Sequence, residues 1–324
     1  MSPDASASLP ARSNLPLQKA KALRAGSRLA VFAPASPADD ERTTAGFAEL
    51  RRLGFSLDIA VAGSADGYFA ASAVDRRAEL LNKLADRGVA GLVALRGGYG
   101  STYLLEADLS DKLGEPKNVI GFSDLTSLQI FLWQRRGWVT FYGPMVAAGF
   151  DGGAGQPGGY DEESLRSAVS CTDEGWKIRL RGKTLFDGDA EGRLLGGAMT
   201  LVEATIGTPW ELDTRDAILV LEDRAMKPYQ VDRVLMHLKQ AGKLSGVRGF
   251  VLGEFPDCDP PVAGSPNVRD VCTRILGWLG VPIVFGAPVG HTERPMLTLP
   301  LGVRARLSAK GEGLLEILEP AVTP

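Results

Sequence analysis

Histidine is scarce in this chain: its 324 residues include two, His237 and His291. With two imidazoles and no HExxH segment, a histidine-built metal centre is not expected. Cysteine is nearly as rare. Cys171, Cys258 and Cys272 are odd in number, scattered and in no CxxC pair, which argues against a disulfide framework and a zinc ribbon. Free thiols in a reducing compartment are the expectation. Apolar runs long enough to cross a bilayer are missing, and the N-terminal stretch lacks the apolar centre of a signal peptide. Charge of one sign is missing too. Lys+Arg 36 against Asp+Glu 39 leaves a net charge of -3, so neither nucleic acid nor an anionic membrane is an expected partner. These absences point to a soluble, cytoplasmic protein.

What is present is ordinary globular composition, 44% hydrophobic, at a length suited to two domains. Residues 1–24 read as a flexible leader. From 25 to 147, strand-like runs (RLAVFAP, FSLDIAVA, GLVALRG, NVIGF, VTFYG) alternate with helical segments such as DDERTTAGFAELRRLG and DRRAELLNKLADRG. That alternation predicts βαβ units and an α/β domain built on a parallel sheet covered on both faces.

Residues 148–188 open on GFDGGAGQPGGYDE and read as a linker or flap region: a flexible interdomain link, or a mobile flap over a site. Residues 189–324 predict a smaller, mixed α/β C-terminal domain. RLLGGAMTLVEATIG reads as a helix opened by glycines, AILVLED as a strand, and YQVDRVLMHLKQAG as an amphipathic helix. VRGFVLGEF and VPIVFGAPVG read as strands on either side of the helix VRDVCTRILGWLG. A closing β-hairpin turns near Gly311 and Gly313.

The chemistry-bearing residues fall at strand ends. His237 lies off the apolar stripe of its helix and reads as a surface residue, whereas His291 follows the apolar run PIVFGAPVG. Ends of strands in α/β folds are where catalytic groups gather. VIGFSDLTSLQIFLWQRRG reads as strand, tight turn, helix, with Ser123 in the turn. There the backbone N–H of Asp124 is placed to stabilise an oxyanion. Leu125 departs from the GxSxG pattern, so a plain helix cap remains the alternative for Ser123. LRGGYGSTYLLEADL repeats the strand–glycine–helix form. It has neither a Walker lysine nor GxGxxG, and Gly98 fits a second oxyanion donor. Glu222 and Asp223 end another strand. One of them can orient a histidine, since neighbouring strand residues face opposite ways; a surface ion pair with Arg224 is the alternative.

Seven blocks then occur in one order: RGGYGSTYLL, GFSDLTSL, FYGPM, GGAMTLVEATIGTP, LEDRAMKPYQVDRVLMHL, GEFPDC and GHTERPMLTLPLG. Together they resemble the LD-carboxypeptidase family, peptidase family S66, over about Ala30 to Leu318. The resemblance implies a flavodoxin-like N-terminal domain, a smaller C-terminal domain, a homodimer, and a Ser–Glu–His triad at Ser123, Glu222 and His291. It implies the amides of Gly98 and Asp124 as oxyanion donors, with no metal or organic cofactor. The implied substrate is murein tetrapeptide, cut at the L,D bond between the diamino acid and terminal D-alanine during peptidoglycan recycling.

Three positions depart from the pattern: Phe122 where Tyr is common, Tyr142 where many members have His, and Ala198 in place of Asn. Tyr142 and Ala198 are positions where substrate contacts would differ. Arg96 and Tyr99, beside the glycine turn, are candidate substrate contacts, with a salt bridge fixing that turn as the alternative for Arg96. Two other readings compete. One is an immunity-type hydrolase of a peptide–nucleotide antibiotic, with Trp210 and the glycine loop as contributors; the other is a non-catalytic peptide-binding protein on the same fold.

Overall fold

The computed structural model describes residues 15–59, 65–106 and 108–324. β1 (Arg28–Phe32), β2 (Ser56–Asp58), β3 (Gly91–Ala94), β4 (Asn118–Gly121) and β5 (Thr140–Tyr142) form a parallel sheet in the order β2-β1-β3-β4-β5. This is the flavodoxin-like order, whose direction reverses between β1 and β3. β3 and β4 are buried at every residue, as parallel strands covered on both faces must be.

α1 (Asp40–Arg52) and α2 (Ala73–Ala85) connect the first strands, and α3 (Thr126–Arg136) follows β4. The first two begin on side-chain caps, Asp39 and Ser72. α3 is buried from Thr126 to Trp133 because it lies between two sheets. On one side Gln129 Nε2 donates to Gly121 O and Phe141 O, both at 3.0 Å. On the other, Thr126 Oγ1 accepts from Ala198 N at 3.1 Å.

The second half contributes α4 (Glu162–Ser170), β6 (Trp176–Arg179), β7 (Lys183–Phe186), β8 (Gly188–Ala198), α5 (Met199–Ala204), β9 (Ala217–Glu222), α6 (Pro228–Gln240), β10 (Gly249–Leu252), α7 (Val268–Leu276), β11 (Ile283–Phe285), β12 (Leu299–Leu301), β13 (Arg304–Ala309) and β14 (Leu314–Ile317). Its eight-stranded sheet runs β6-β14-β13-β8-β9-β10-β11-β7, with β8 to β11 parallel at its centre. The expected closing hairpin is β13–β14. β12 instead crosses back and pairs antiparallel with β5, making the first sheet six-stranded.

Three expectations change in detail. RLLGGA is the end of strand β8, not the start of a helix; Gly196 and Gly197 pair with Val220 and Leu221, and the helix opens only at Met199. Residues 148–188 are not one connecting segment, because α4, β6 and β7 lie within them. The glycine stretch itself is folded on a buried Phe150–Tyr160 ring pair, centroids 5.0 Å apart. A Cβ on Gly159 would stand 1.8 Å from Gly153 O, so the glycines there permit chain-on-chain turns. The expected leader also shortens: Leu23 is 1% exposed, its N–H donates to Val169 O at 2.8 Å, and Ala22 N donates to Thr323 O at 2.7 Å. Residues 1–14 of that leader, and the 60–62 end of the strand expected after α1, lie outside the described residues.

All three cysteines are free thiols. Among the described residues no helix is long and apolar enough to cross a membrane.

Candidate active site

β4 delivers Ser123 into a tight turn between Gly121 and α3. Its φ is +61°, a left-handed conformation that a non-glycine residue holds only when the surroundings impose it. Its hydroxyl is not spent on capping. Neither the short 3₁₀ turn Ser123–Leu125 nor α3 has a side-chain cap, which removes the plain structural alternative for this serine.

β9 delivers Glu222 from the other sheet. Its carboxylate is 0% exposed, and a buried charge is tolerable only when its oxygens are paired. Oε2 accepts from the backbone N–H of His291 at 2.9 Å and lies 2.9 Å from His291 Nδ1. Oε1 accepts from the Tyr142 hydroxyl at the end of β5. Gly290 makes this approach feasible: its φ is +64°, and a Cβ there would stand 2.3 Å from Glu222 Cδ. Of the two acidic neighbours, Glu222 is therefore the one that meets the histidine. Asp223 turns away and accepts from Thr200 N, Thr200 Oγ1 and Arg224 N at 3.0, 2.8 and 2.9 Å.

The electrostatics follow from these contacts. Burial is the largest influence on His291 and disfavours its cation, but the charge and hydrogen bond of Glu222 outweigh it and raise its pKa above the ordinary histidine value. Burial, then the adjacent Glu222 charge, pushes the Tyr142 phenol well above its usual range.

Ser123 and His291 line one cavity of about 380 Å³ between the sheets, with Phe122 against the imidazole at a ring distance of 5.1 Å. Among the described residues Ser123 Oγ has no hydrogen bond to His291, and contacts of this kind often tighten only around a bound substrate. Gly98 and Asp124 line the same cavity. Among the described residues neither of their backbone N–H groups has a protein acceptor. A serine hydroxyl, an acid-oriented imidazole and two unspent amides can together perform acyl transfer. A second compartment of about 220 Å³ continues the cleft past His291, walled partly by Ala148, Gly149 and Gly158 of the glycine stretch.

The chain matches the model of the LD-carboxypeptidase N-terminal domain over residues 29–143 and that of the C-terminal domain over 191–307. The chain belongs to the LD-carboxypeptidase family. It is a serine peptidase of carboxypeptidase type. Over 294 residues it is 33% identical to a protein described as a "probable murein peptide carboxypeptidase" of Bacillus subtilis, covering 90% of this chain and 91% of that one. It is 28% identical to the microcin C7 self-immunity protein MccF of Escherichia coli, covering 87% and 90%. The muramoyltetrapeptide carboxypeptidase from Oxalobacter formigenes superposes with a TM-score of 0.81 at 27% identity, over 92% of this chain and 100% of that chain.

The other residues singled out in this LD-carboxypeptidase sequence fall in different places. Arg96 lines the cavity, and its Nη1 donates to Pro37 O at 3.1 Å. Tyr99 does not; it stacks on Phe69, 5.9 Å between centroids, in an exposed aromatic group with Tyr103. Trp210 packs edge-on against Phe131 and is not part of the cavity wall. His237 pairs with Glu203 on the exposed side of α6. Ala198 does line the cavity. Tyr142 does not contact that space as a substrate-facing residue would: it is fully buried against Glu222. Its place at the end of a strand beside the strand that leads into Ser123 was the available signal.

Proposed function

We propose that this enzyme hydrolyses the L,D bond between the diamino acid and terminal D-alanine of murein tetrapeptide. The observation that carries the reading is the fully buried Glu222 carboxylate holding His291 beside the uncapped Ser123. In this scheme Ser123 Oγ attacks the scissile carbonyl while His291 takes its proton. The amides of Gly98 and Asp124 hold the oxyanion, a contribution on the order of 10²-fold per donor. His291 then protonates the departing D-alanine amine, and water repeats the sequence to free the peptide and restore Ser123.

Release of a terminal residue calls for a group that binds its free carboxylate. Of the cleft arginines, Arg42 is paired with Asp151 at 2.6 Å and Arg224 with Asp257 at 3.0 Å, while among the described residues Arg96 pairs with a backbone carbonyl and no carboxylate. Arg96 is therefore assigned that role. The enzyme is placed in the cytoplasm, where recycled murein peptides are met, and as a homodimer, as the family resemblance implies.

Purified enzyme incubated with murein tetrapeptide should yield free D-alanine, and Ser123→Ala should abolish it. Normal turnover by Ser123→Ala would overturn the scheme. The same catalytic groups would serve a nucleotide-conjugate hydrolase, and an aminoacyl sulfamoyl-adenosine run in parallel separates that second reading.

A further inference from the structure

Gly98 sits at the centre of a loop that is pinned on both flanks by side chains from three other segments. Upstream of α1, Ser36 accepts from Tyr99 N at 3.1 Å through its Oγ and donates its own N–H to Gly97 O at 3.3 Å, gripping either side of Gly98. A Cβ on Gly98 would stand 2.4 Å from Ser36 Oγ, and its φ of +108° suits glycine alone. Beyond Gly98, the Asp124 carboxylate accepts from Ser101 N at 2.7 Å, and Ser101 Oγ donates back to Asp124 O. Beneath, Arg76 Nη1 donates to Gly100 O at 2.8 Å and to Pro34 O, while its Nε donates to Ala71 O at 2.9 Å.

These groups are expensive to bury. Arg76 is 1% exposed, its Nη2 has no partner among the described residues, and it lies under the Phe69 ring at 5.0 Å. Asp124 is 3% exposed. Its carboxyl is pushed upward by burial against the hydrogen bonds from Ser101. Among the described residues the hydrogen bonds of this guanidinium all go to carbonyl oxygens and those of the nearby carboxylate come from the loop, and such buried charges contribute little to stability compared with apolar side chains. What the pair does is fix one loop to one turn.

We propose that the Asp124 carboxylate, backed by Arg76, is a positioning group that sets the spacing between the two oxyanion donors. Asp124 supplies one donor from its backbone, and its side chain anchors the loop that carries the other. The two halves of the hole are tied together through a single residue. Neither side chain touches the reacting atoms. Their role is read in the transition state, because the donors must meet an oxyanion that the ground-state substrate lacks. This inference rests on the proposed Ser123 chemistry.

The test compares Asp124→Ala, Asp124→Asn, Arg76→Lys and Ser123→Ala in the full chain, using D-alanine release and the rate of Ser123 labelling by a fluorophosphonate. Asp124→Ala and Arg76→Lys should lose about 10²-fold in kcat and in labelling rate, with KM within about threefold, as expected for donors displaced by a fraction of an ångström. Asp124→Asn, whose amide oxygen still accepts from Ser101 N, should recover most of the loss. Circular dichroism and thermal melts establish that each variant is folded, and if Asp124→Ala is not, Arg76→Lys and Asp124→Asn carry the comparison. Folded Arg76→Lys with unchanged kcat, or a loss borne by KM instead, would overturn the positioning role. Turnover surviving Ser123→Ala would overturn the underlying chemistry instead, which keeps the two failures distinct.

Discussion

Tyr142 Oη donates to Glu222 Oε1 while His291 occupies Oε2, so the two oxygens of one fully buried carboxylate serve two partners from different parts of the fold. Tyr142→Phe would leave Oε1 buried and unpaired. It should cost about 1–3 kcal/mol in urea denaturation. It should also lower kcat roughly 10- to 100-fold by loosening the imidazole's orientation, with KM little changed.

The histidine's pKa gives a pH prediction with a definite sign. His291 must be neutral to accept a proton, and Glu222 raises its pKa. The acid limb of kcat/KM should therefore lie above the ~6.5 of an unperturbed histidine, with activity rising through it. The corresponding stability contribution runs the other way. With the folded-state pKa above the unfolded one, it is fully present below about pH 6.5 and lost as pH rises through the folded value. Glu222→Gln removes the charge and leaves burial, so the limb should move down while kcat falls by about 10⁴-fold. A pH–rate profile and a histidine NMR titration check both; an unmoved limb would contradict the assignment.

Gly290→Ala introduces a Cβ 2.3 Å from Glu222 Cδ at a φ of +64°. The carboxylate or the His291 loop must shift. Activity should fall at least as far as in Tyr142→Phe, and thermal melting should show a folded protein of lower Tm.

Arg96→Gln should raise KM for murein tetrapeptide about 10- to 100-fold, the worth of a charge-assisted hydrogen bond, and leave kcat within a few-fold. A substrate ending in D-alanine amide should not distinguish this variant from the unmodified enzyme. Equal KM for both enzymes on the free acid would remove Arg96 from carboxylate recognition.

Much of the fold was legible because parallel strands buried on both faces leave near-continuous apolar runs, as in β1 from Leu29, β3, and β4 from Val119. The strand-end placement of Ser123, Glu222 and His291 was legible for the same reason. β8 was not, since RLLGGA suits either a glycine-opened helix or a central strand, and only pairing with β9 and β13 decides between them. Tyr142 was read as a substrate-facing position because strand membership says nothing of which buried acid arrives from another sheet. Asp124 was recognised for its amide alone. Its carboxylate's partner, Ser101, is 23 positions away and meets it only through the neighbouring strand ends.

The return of β12 to pair with β5 has a bearing on engineering. The half of the chain that carries the serine ends at β5, and its last strand finds its neighbour more than a hundred and fifty residues later. Expressed alone, that half would present the β5 edge to solvent as a row of unpaired amides and carbonyls, an invitation to intermolecular strand pairing. The half that carries Ser123 is therefore not a transplantable cassette. A split enzyme reconstituted from two fragments should assemble only when the second fragment includes Leu299–Leu301, which would make that three-residue strand the clasp of the whole molecule.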